Sequence, residues 1–183
     1  MRRKERPEGT GCVERMERYV VSILVVNEPG VLSRISGLFS RRGYNIESLT
    51  VGRTENPEVS RITVSLTCDT STLEQIIKQS QKLYVVLGVE ELKTKDSVYR
   101  ELALVKVKAN EEARSLIRGV VDIFRASIVD IAPESLIVEI TGDGDKIDAF
   151  IKLVEPYGII EMTRTGLTAL GRGSQGITGT KAI

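Results

Sequence analysis

The chain of 183 residues is long enough to bury the core of one large domain or of two small ones. Its 26 Lys and Arg residues nearly balance its 25 Asp and Glu residues, so no overall positive field attracts nucleic acid or an anionic membrane surface. Histidine is absent, which removes the commonest general base and transition-metal ligand and disfavours a self-contained catalyst.

Cysteine usage and hydropathy indicate a reduced, soluble protein. Cys12 and Cys68 lie far apart and have no CxxC spacing, so neither a disulfide framework nor a zinc site is predicted. No apolar run approaches the roughly 20 residues that span a bilayer, and no apolar signal segment follows the charged start. We therefore expect a cytoplasmic protein with no metal site and no cofactor of its own.

The first half of the chain predicts the element order β-α-β-β-α-β. Residues 1–16 have no apolar period and are interpreted as a flexible extension. Apolar periods predict strands at residues 19–26, 44–53, 61–67 and 84–92, and helices at residues 31–42 and 71–81. With right-handed crossovers, this order gives a four-stranded antiparallel sheet with both helices on one face.

Both helices of this half have recognisable start or stop signals. Pro29 suits the first turn of the first helix, because its missing N–H would have no partner there. Gly43 suits the left-handed position that ends a helix. Ser71 and Glu74 have the spacing of a capping box at the start of the second helix.

The same element order appears again after a polar joint. Strands are predicted at residues 101–108, 127–131, 136–141 and 158–164, with one helix after the first strand and another after the third. Asp143 or Asp145 can cap the later helix. Residues 166–183 are rich in glycine and have too little apolar content to pack by themselves, which predicts a flexible tail.

These patterns predict an α+β protein with two tandem ferredoxin-like βαββαβ domains. The domains are expected at residues 17–94 and 98–165, and each has an antiparallel sheet with its helices on one face.

The turn before the first helix is the best candidate for a binding site. A helix start carries about half a positive charge and presents unpaired amide donors, which suit the carboxylate of a small ligand. Asn27 can donate to that carboxylate or accept from an ammonium group, and Gly30 lets a ligand approach the backbone closely. The alternative is that Asn27 only caps the helix and Gly30 only relaxes the turn.

Two segments around this turn resemble a known family. The runs NEPGVLSR at residues 27–34 and LFSRRGYNIESL at residues 38–49 are similar to the amino-terminal ACT domain of the small, regulatory subunit of acetohydroxyacid synthase, also called acetolactate synthase. The resemblance extends over about residues 16–173 and includes LVKV at 104–107 and RTG at 164–166. It implies a subunit without catalytic residues or activity of its own. Such a subunit binds and activates a large catalytic subunit that carries thiamine diphosphate, FAD and magnesium.

The resemblance also implies a site for valine, which acts as a feedback inhibitor of branched-chain amino acid biosynthesis. In the family, the ACT domains of two subunits pair so that their sheets run side by side, and valine lies at the junction. The residues that match the family's site are Asn27, Gly30, Val31 and Leu32 from one subunit and Asn45 and Ile46 from the other.

Three other functions stay open at this point. An ACT-domain sensor that controls a different enzyme or a transcription factor would bind an amino acid without affecting acetolactate formation. A nucleic-acid binder is disfavoured, because the strand at residues 61–67 has no aromatic side chain for base stacking. An enzyme with its site between the domains would show activity on pyruvate by itself.

Some charged residues allow two interpretations. Asp143, Asp145 and Asp148 can be drawn as a cation site, but acidic residues are favoured at a helix start in any case. Lys106 and Lys108 share one face of a strand, where they either contact an acidic partner or are simply solvated.

Overall fold

The computed structural model describes residues 16–177 of the chain. The elements of its first domain are β1 (Glu17–Val26), α1 (Val31–Arg41), β2 (Ile46–Arg53), β3 (Val59–Cys68), α2 (Thr70–Gln81) and β4 (Val86–Glu91). The strand order is β2-β3-β1-β4, and all neighbouring strands are antiparallel. Because β1 and β2 both run antiparallel to β3, they run parallel to each other, and α1 is the crossover between them.

Alternation along β1 separates the two faces of the first sheet. Val21, Ile23 and Val25 are buried against the helices, in a cluster that includes Ile35 and Phe39 of α1. The opposite face is also buried, although it is partly polar. Its fully buried or nearly buried polar side chains are Ser22, Thr63 and Ser65. A buried polar face indicates that something other than solvent covers this side of the sheet.

The second domain repeats the topology. Its elements are β5 (Ser97–Lys108), α3 (Glu111–Ile123), β6 (Ser127–Ala132), β7 (Ser135–Gly142), α4 (Gly144–Val154) and β8 (Ile159–Arg164), with short 3₁₀ turns at Thr94–Asp96 and Glu155–Tyr157. The strand order is β6-β7-β5-β8, again antiparallel throughout. Its core lies between this sheet and the two helices and includes Val105, Ile117 and Phe150.

Part of the predicted flexible tail is ordered. Residues 168–171 form β9 (Thr168–Gly171), which pairs with the start of β5. Leu167 and Ala169 are buried in a cluster between the two domains, together with Val20, Leu92 and Tyr99. The prediction was wrong because it judged the segment's apolar content alone, whereas two alternating apolar residues suffice to fill a gap between existing sheets. The remaining tail at 178–183 and the extension at 1–15 lie outside the described residues.

Two predicted helix starts also differ from the structure. Gly30 is the N-cap of α1, so Pro29 precedes the helix instead of occupying its first turn. Asp69, and not Ser71, caps α2, and its carboxylate accepts from the Thr72 N–H at 2.8 Å. The Ser71 hydroxyl also donates to this carboxylate, and these bonds hold the pKa of Asp69 well below its usual value. A carboxylate is the stronger acceptor, and α2 therefore starts earlier than the capping-box spacing predicts.

Cys68 is buried at the end of β3 and has a free thiol. Burial, together with the nearby charge of Asp69, raises the pKa of this thiol. Cys12 lies outside the described residues. Within residues 16–177, no helix has both the length and the apolar content that crossing a bilayer requires.

Candidate functional site

The start of α1 is open in a way that the other helix starts are not. Gly30 adopts the left-handed conformation, with φ of 83°, and no side chain accepts a hydrogen bond from the first turn of α1. This turn also contains no acidic residue. The three other α-helices of the described chain are capped by side chains, from Asp69, Asn110 and Asp143. The amides and the positive dipole end of α1 thus stay free to bind an anion.

Asn27 does not cap this helix, so that interpretation is wrong. Its amide nitrogen donates to the Pro57 carbonyl at 2.8 Å, and its amide oxygen accepts from the Ser60 hydroxyl at 3.1 Å. Its backbone N–H donates to the Glu58 carbonyl at 2.7 Å. These bonds tie the turn before α1 to the turn between β2 and β3. The side-chain amide has a second N–H, which can still donate to a ligand.

Val31 and Leu32 have different surroundings. The Val31 side chain is 5% exposed and packs in the core, so this residue can offer a ligand mainly its backbone N–H. That N–H makes only a long bond, 3.4 Å, to the Glu28 carbonyl. The Leu32 side chain is 44% exposed beside the helix start and is free to contact an apolar ligand group.

Asn45 and Ile46 lie at the other end of α1. The helix has 11 residues, which corresponds to roughly 16 Å at its usual rise. Asn45 is exposed, and Ile46 is half-buried at the start of β2. A single chain therefore does not bring these two residues to the open helix start.

The topology allows a second copy of the chain to bring its Asn45 and Ile46 close to the open start of α1 in the first copy. The strand β2 is at the edge of its sheet and runs parallel to β1, which leads into α1. The open helix start consequently lies at the end of the sheet where β2 finishes, and Asn45 lies where β2 begins. If the β2 edges of two copies pair antiparallel about a two-fold axis, the start of each strand lies beside the end of the other.

The acidic residues near α4 have structural partners. Asp143 accepts from the Lys146 N–H at 2.9 Å and caps the helix, whereas Asp148 pairs with Arg164 at 2.6 Å. Within residues 16–177, no group of three acidic or cysteine side chains is arranged to hold a metal ion. Lys106 pairs with Glu161 on the adjacent strand at 3.4 Å, so its charge is partly balanced within the domain.

Sequence reasoning missed a buried ion pair beside these residues. Glu101 is 6% exposed, and the Arg164 guanidinium donates to its Oε2 from Nε at 3.0 Å and from Nη2 at 2.6 Å. Burial lowers the pKa of Arg164, but the bonds to Glu101 and Asp148 outweigh burial and raise it above its ordinary value. The signal was present in the period of β5, where Glu101 occupies the same face as the buried Ala103 and Val105.

Comparison with known proteins identifies the family of both domains. The model of the AHAS small subunit-like ACT domain matches residues 21–88, and the model of the small subunit of acetolactate synthase matches residues 100–173. The probable acetolactate synthase small subunit of Archaeoglobus fulgidus is 49% identical over 158 residues, which cover 86% of this chain and 99% of that protein. The acetolactate synthase small subunit of Bacillus subtilis is 47% identical over 159 residues, which cover 86% of this chain and 92% of that protein.

A solved structure agrees with these matches. The acetolactate synthase small subunit from Thermotoga maritima superposes on this chain with a TM-score of 0.81 at 40% identity, covering 87% of this chain and 99% of that one. The second family model extends to residue 173 and includes β9, which supports counting that strand with the second domain. The predicted resemblance and the predicted α+β fold are thereby confirmed, and the chain belongs to the acetolactate synthase small-subunit family.

Proposed function

We propose that this chain binds and activates the catalytic large subunit of an acetohydroxyacid synthase and makes its activity subject to feedback inhibition by valine. Membership of the small-subunit family supports a regulatory role beside a large subunit. In this proposal the catalytic chemistry, with its thiamine diphosphate, FAD and magnesium, belongs to the large subunit. The complex operates in the cytoplasm.

The effector site proposed for valine lies where the ACT domains of two copies meet. The valine carboxylate accepts from the free amides at the start of α1, next to Gly30, and the second N–H of Asn27 adds a donor. The isopropyl group contacts the exposed Leu32 side chain of one copy and Ile46 of the other. Asn45 of that other copy supplies a polar group for the ammonium. The observation that carries this proposal is the open start of α1, in a chain whose other described α-helices are capped.

A site shared by two copies couples sensing to assembly. Valine that bridges both chains stabilises the paired state by mass action. It can inhibit only if it binds one arrangement of the pair more tightly than another, and if that arrangement supports the catalytic subunit less well. Leucine and isoleucine differ from valine by one methylene, which is worth about 1 to 3 kcal/mol, so their affinities should overlap with that of valine.

Reconstitution tests this function directly. The full chain is mixed with a large subunit, and acetolactate formation from pyruvate is measured with and without valine. We expect no activity from the chain alone, a higher rate in the mixture than with the large subunit alone, and inhibition of that higher rate by valine. Omission of the small chain is the control, because valine should then have no effect on the rate.

Other outcomes would favour other functions. Valine binding to the chain without any effect on acetolactate formation would indicate an ACT-domain sensor for a different enzyme or a transcription factor. Acetolactate formation by the chain alone would indicate a catalytic site of its own. Either result contradicts the proposal.

A further inference from the structure

The strand β2 connects the proposed effector site to the second domain. Ile46 begins the strand and packs on the helix side of the sheet. The pairing with β3 then shifts at Glu47, so that Ser48 pairs with Ser65 on the opposite face. Without this bulge, Ile46 and Ser48 would lie on the same face, because strand side chains alternate. Because of the bulge, Ile46 of the proposed effector site lies on one face of β2 and Ser48 lies on the other.

On this second face, β2 contacts the loop between β8 and β9, at residues 165–167. The Thr50 hydroxyl donates to the Thr165 carbonyl at 3.4 Å, and the Leu167 N–H donates to the Ser48 hydroxyl oxygen at 3.4 Å. Both distances exceed the usual ranges for O–H···O and N–H···O hydrogen bonds, so these two contacts are weak and sensitive to the position of β2. A displacement of β2 by a few tenths of an ångström is enough to break or to strengthen them.

The far side of the 165–167 loop is held firmly by the second domain. The Thr165 N–H donates to the Leu102 carbonyl at 3.0 Å, and the Thr165 hydroxyl oxygen accepts from the Leu102 N–H at 3.1 Å. Leu167 packs with Val20 and Leu92 of the first domain as well as with Tyr99 of the second, so the second domain holds the loop chiefly at Thr165. The loop is therefore attached to β5 and moves with it. A shift of β2 either moves the second domain or breaks the contacts of Ser48 and Thr50 with the loop.

Gly166 sets the distance between the loop and β2. Its φ is +81°, and a Cβ at this position would lie 3.2 Å from the Thr50 hydroxyl oxygen and 3.3 Å from the Ser48 Cβ. Glycine is therefore required both by the left-handed backbone and by the close approach of the strand. A larger residue therefore requires the loop or β2 to shift by a few tenths of an ångström, in addition to the backbone strain at positive φ.

We propose that the 165–167 loop passes the state of the effector site to the second domain. Valine bound next to Ile46 alters the position of β2, and the contacts of Ser48 and Thr50 transfer this change to Thr165 and Leu167. The inference rests on the proposed function for its effector, but it assigns the transmission to side chains that take no part in binding valine. Binding and inhibition can therefore be separated by substitution.

The test uses Gly166→Ala in the full chain, reconstituted with the large subunit. Valine affinity is measured by titration calorimetry, and inhibition is expressed relative to the valine-free rate of each variant. We expect the affinity of the variant to stay within twofold of the wild type, while its maximal inhibition falls at least twofold. Gly173→Ala is the matched control, because Gly173 is also left-handed, with φ of +87°, but has open space around its Cβ position.

Thr50→Val is a second variant that changes the shape of the chain very little. It removes the hydroxyl donor to Thr165 and should also reduce inhibition more than it reduces valine binding. If both variants keep wild-type inhibition, the inference is wrong. A parallel loss of valine binding in both would also overturn it, because the loop would then belong to the effector site. A wild-type complex that does not respond to valine contradicts the proposed function itself.

Discussion

The two domains share one topology but begin their first helices differently. At α3, the Asn110 side chain accepts from the Ala113 N–H at 2.8 Å, and Glu111 and Glu112 lie in the first turn. The helix dipole and the free amides are thus satisfied by the domain's own residues. At α1, the equivalent position is Gly30, and neither a cap nor an acidic residue is present. The same fold therefore leaves a helix start open in one domain and closed in the other, depending on a few residues in one turn.

The sheet faces opposite the helices differ as well. In the first sheet, Ser22 and Ser65 are fully buried, and Val20 on the same face packs with Leu167 and Ala169. In the second sheet, Leu104 and Lys106 on the corresponding face are only half-buried. The first sheet therefore packs between its helices and the second domain, and its edge strand β2 can contact both that domain and the proposed effector site.

The largest effect is expected from Arg164→Leu in the second domain. This change leaves the Glu101 carboxylate buried without its partner, which should cost about 3 kcal/mol of unfolding free energy. Urea denaturation of the purified chain measures this cost. The double variant Arg164→Leu with Glu101→Leu removes both charges and should be clearly more stable than the single variant. Equal stability of the two would contradict the buried ion pair.

Gly30→Asp should convert the open helix start of the first domain into a blocked one. The new carboxylate competes with the valine carboxylate for the same amides, and loss of a charged hydrogen bond costs about 1.5 to 3 kcal/mol. Titration calorimetry should therefore show valine binding at least roughly tenfold weaker. The control is Gly173→Asp, since that glycine is also left-handed with no neighbour near its Cβ position. Unchanged affinity in Gly30→Asp would show that the site is misplaced.

Asn45→His should weaken valine binding from across the proposed dimer by roughly tenfold or more, because loss of a hydrogen bond to the charged ammonium costs about 1.5 to 3 kcal/mol. A mixture of the Gly30→Asp and Asn45→His chains distinguishes a shared site from a site within one chain. In a mixed dimer, one site carries both changes and the other carries neither. We therefore expect partial recovery of tight binding in the mixture, and no recovery if each site belongs to a single chain.

The contrast between the helix starts also predicts that alanine substitutions at the two starts change the unfolding free energy by different amounts. Asn110→Ala removes the cap of α3 and should cost about 1 kcal/mol of unfolding free energy. Ser33→Ala, in the uncapped first turn of α1, should change stability by less than about 0.5 kcal/mol. Chemical denaturation of both variants gives the comparison. Equal losses would mean that the two helix starts are not energetically different.

The smallest effect concerns the cluster between the domains at high pH. Burial, together with the charge of Glu91, raises the pKa of the Tyr99 hydroxyl above its ordinary value of 10.0. A raised folded-state pKa contributes stability that is present below pH 10 and is lost as the pH rises through that pKa. The midpoint temperature of thermal unfolding should thus fall less steeply with rising pH above about pH 10 in Tyr99→Phe than in the wild type. Equal slopes in Tyr99→Phe and in the wild type would contradict the raised pKa of this buried hydroxyl.

Regular elements could be predicted from the sequence because their signals are local. The apolar run at 19–26 and the alternation at 61–67 lie within β1 (Glu17–Val26) and β3 (Val59–Cys68). The left-handed Gly43 after α1 is also confirmed, with φ of 70°. These features depend on neighbours a few residues away, which the sequence displays directly.

Two of the incorrect predictions depended on contacts between distant segments. Asn27 looked like a helix cap, but its partners Pro57 and Ser60 come from the turn and strand that follow β2. Residues 166–171 were predicted to be flexible because the residues that bury Leu167 are distant in the chain and include Val20 and Leu92 of the first domain. The identity of such partners cannot be read from a local pattern, since hydrogen bonding and burial depend on which surfaces the fold brings together.

The sequence by itself determined the repeated βαββαβ order, the family resemblance and the glycine at the start of α1, because periodicity and backbone permissiveness are properties of short segments. Only the tertiary structure decided that this helix start stays uncapped and that Asn45 and Ile46 lie at the other end of α1, a helix about 16 Å long. It also decided that β9 closes the gap between the domains. These features result from packing between elements far apart in the chain, and packing is set by the shape of the assembled sheets.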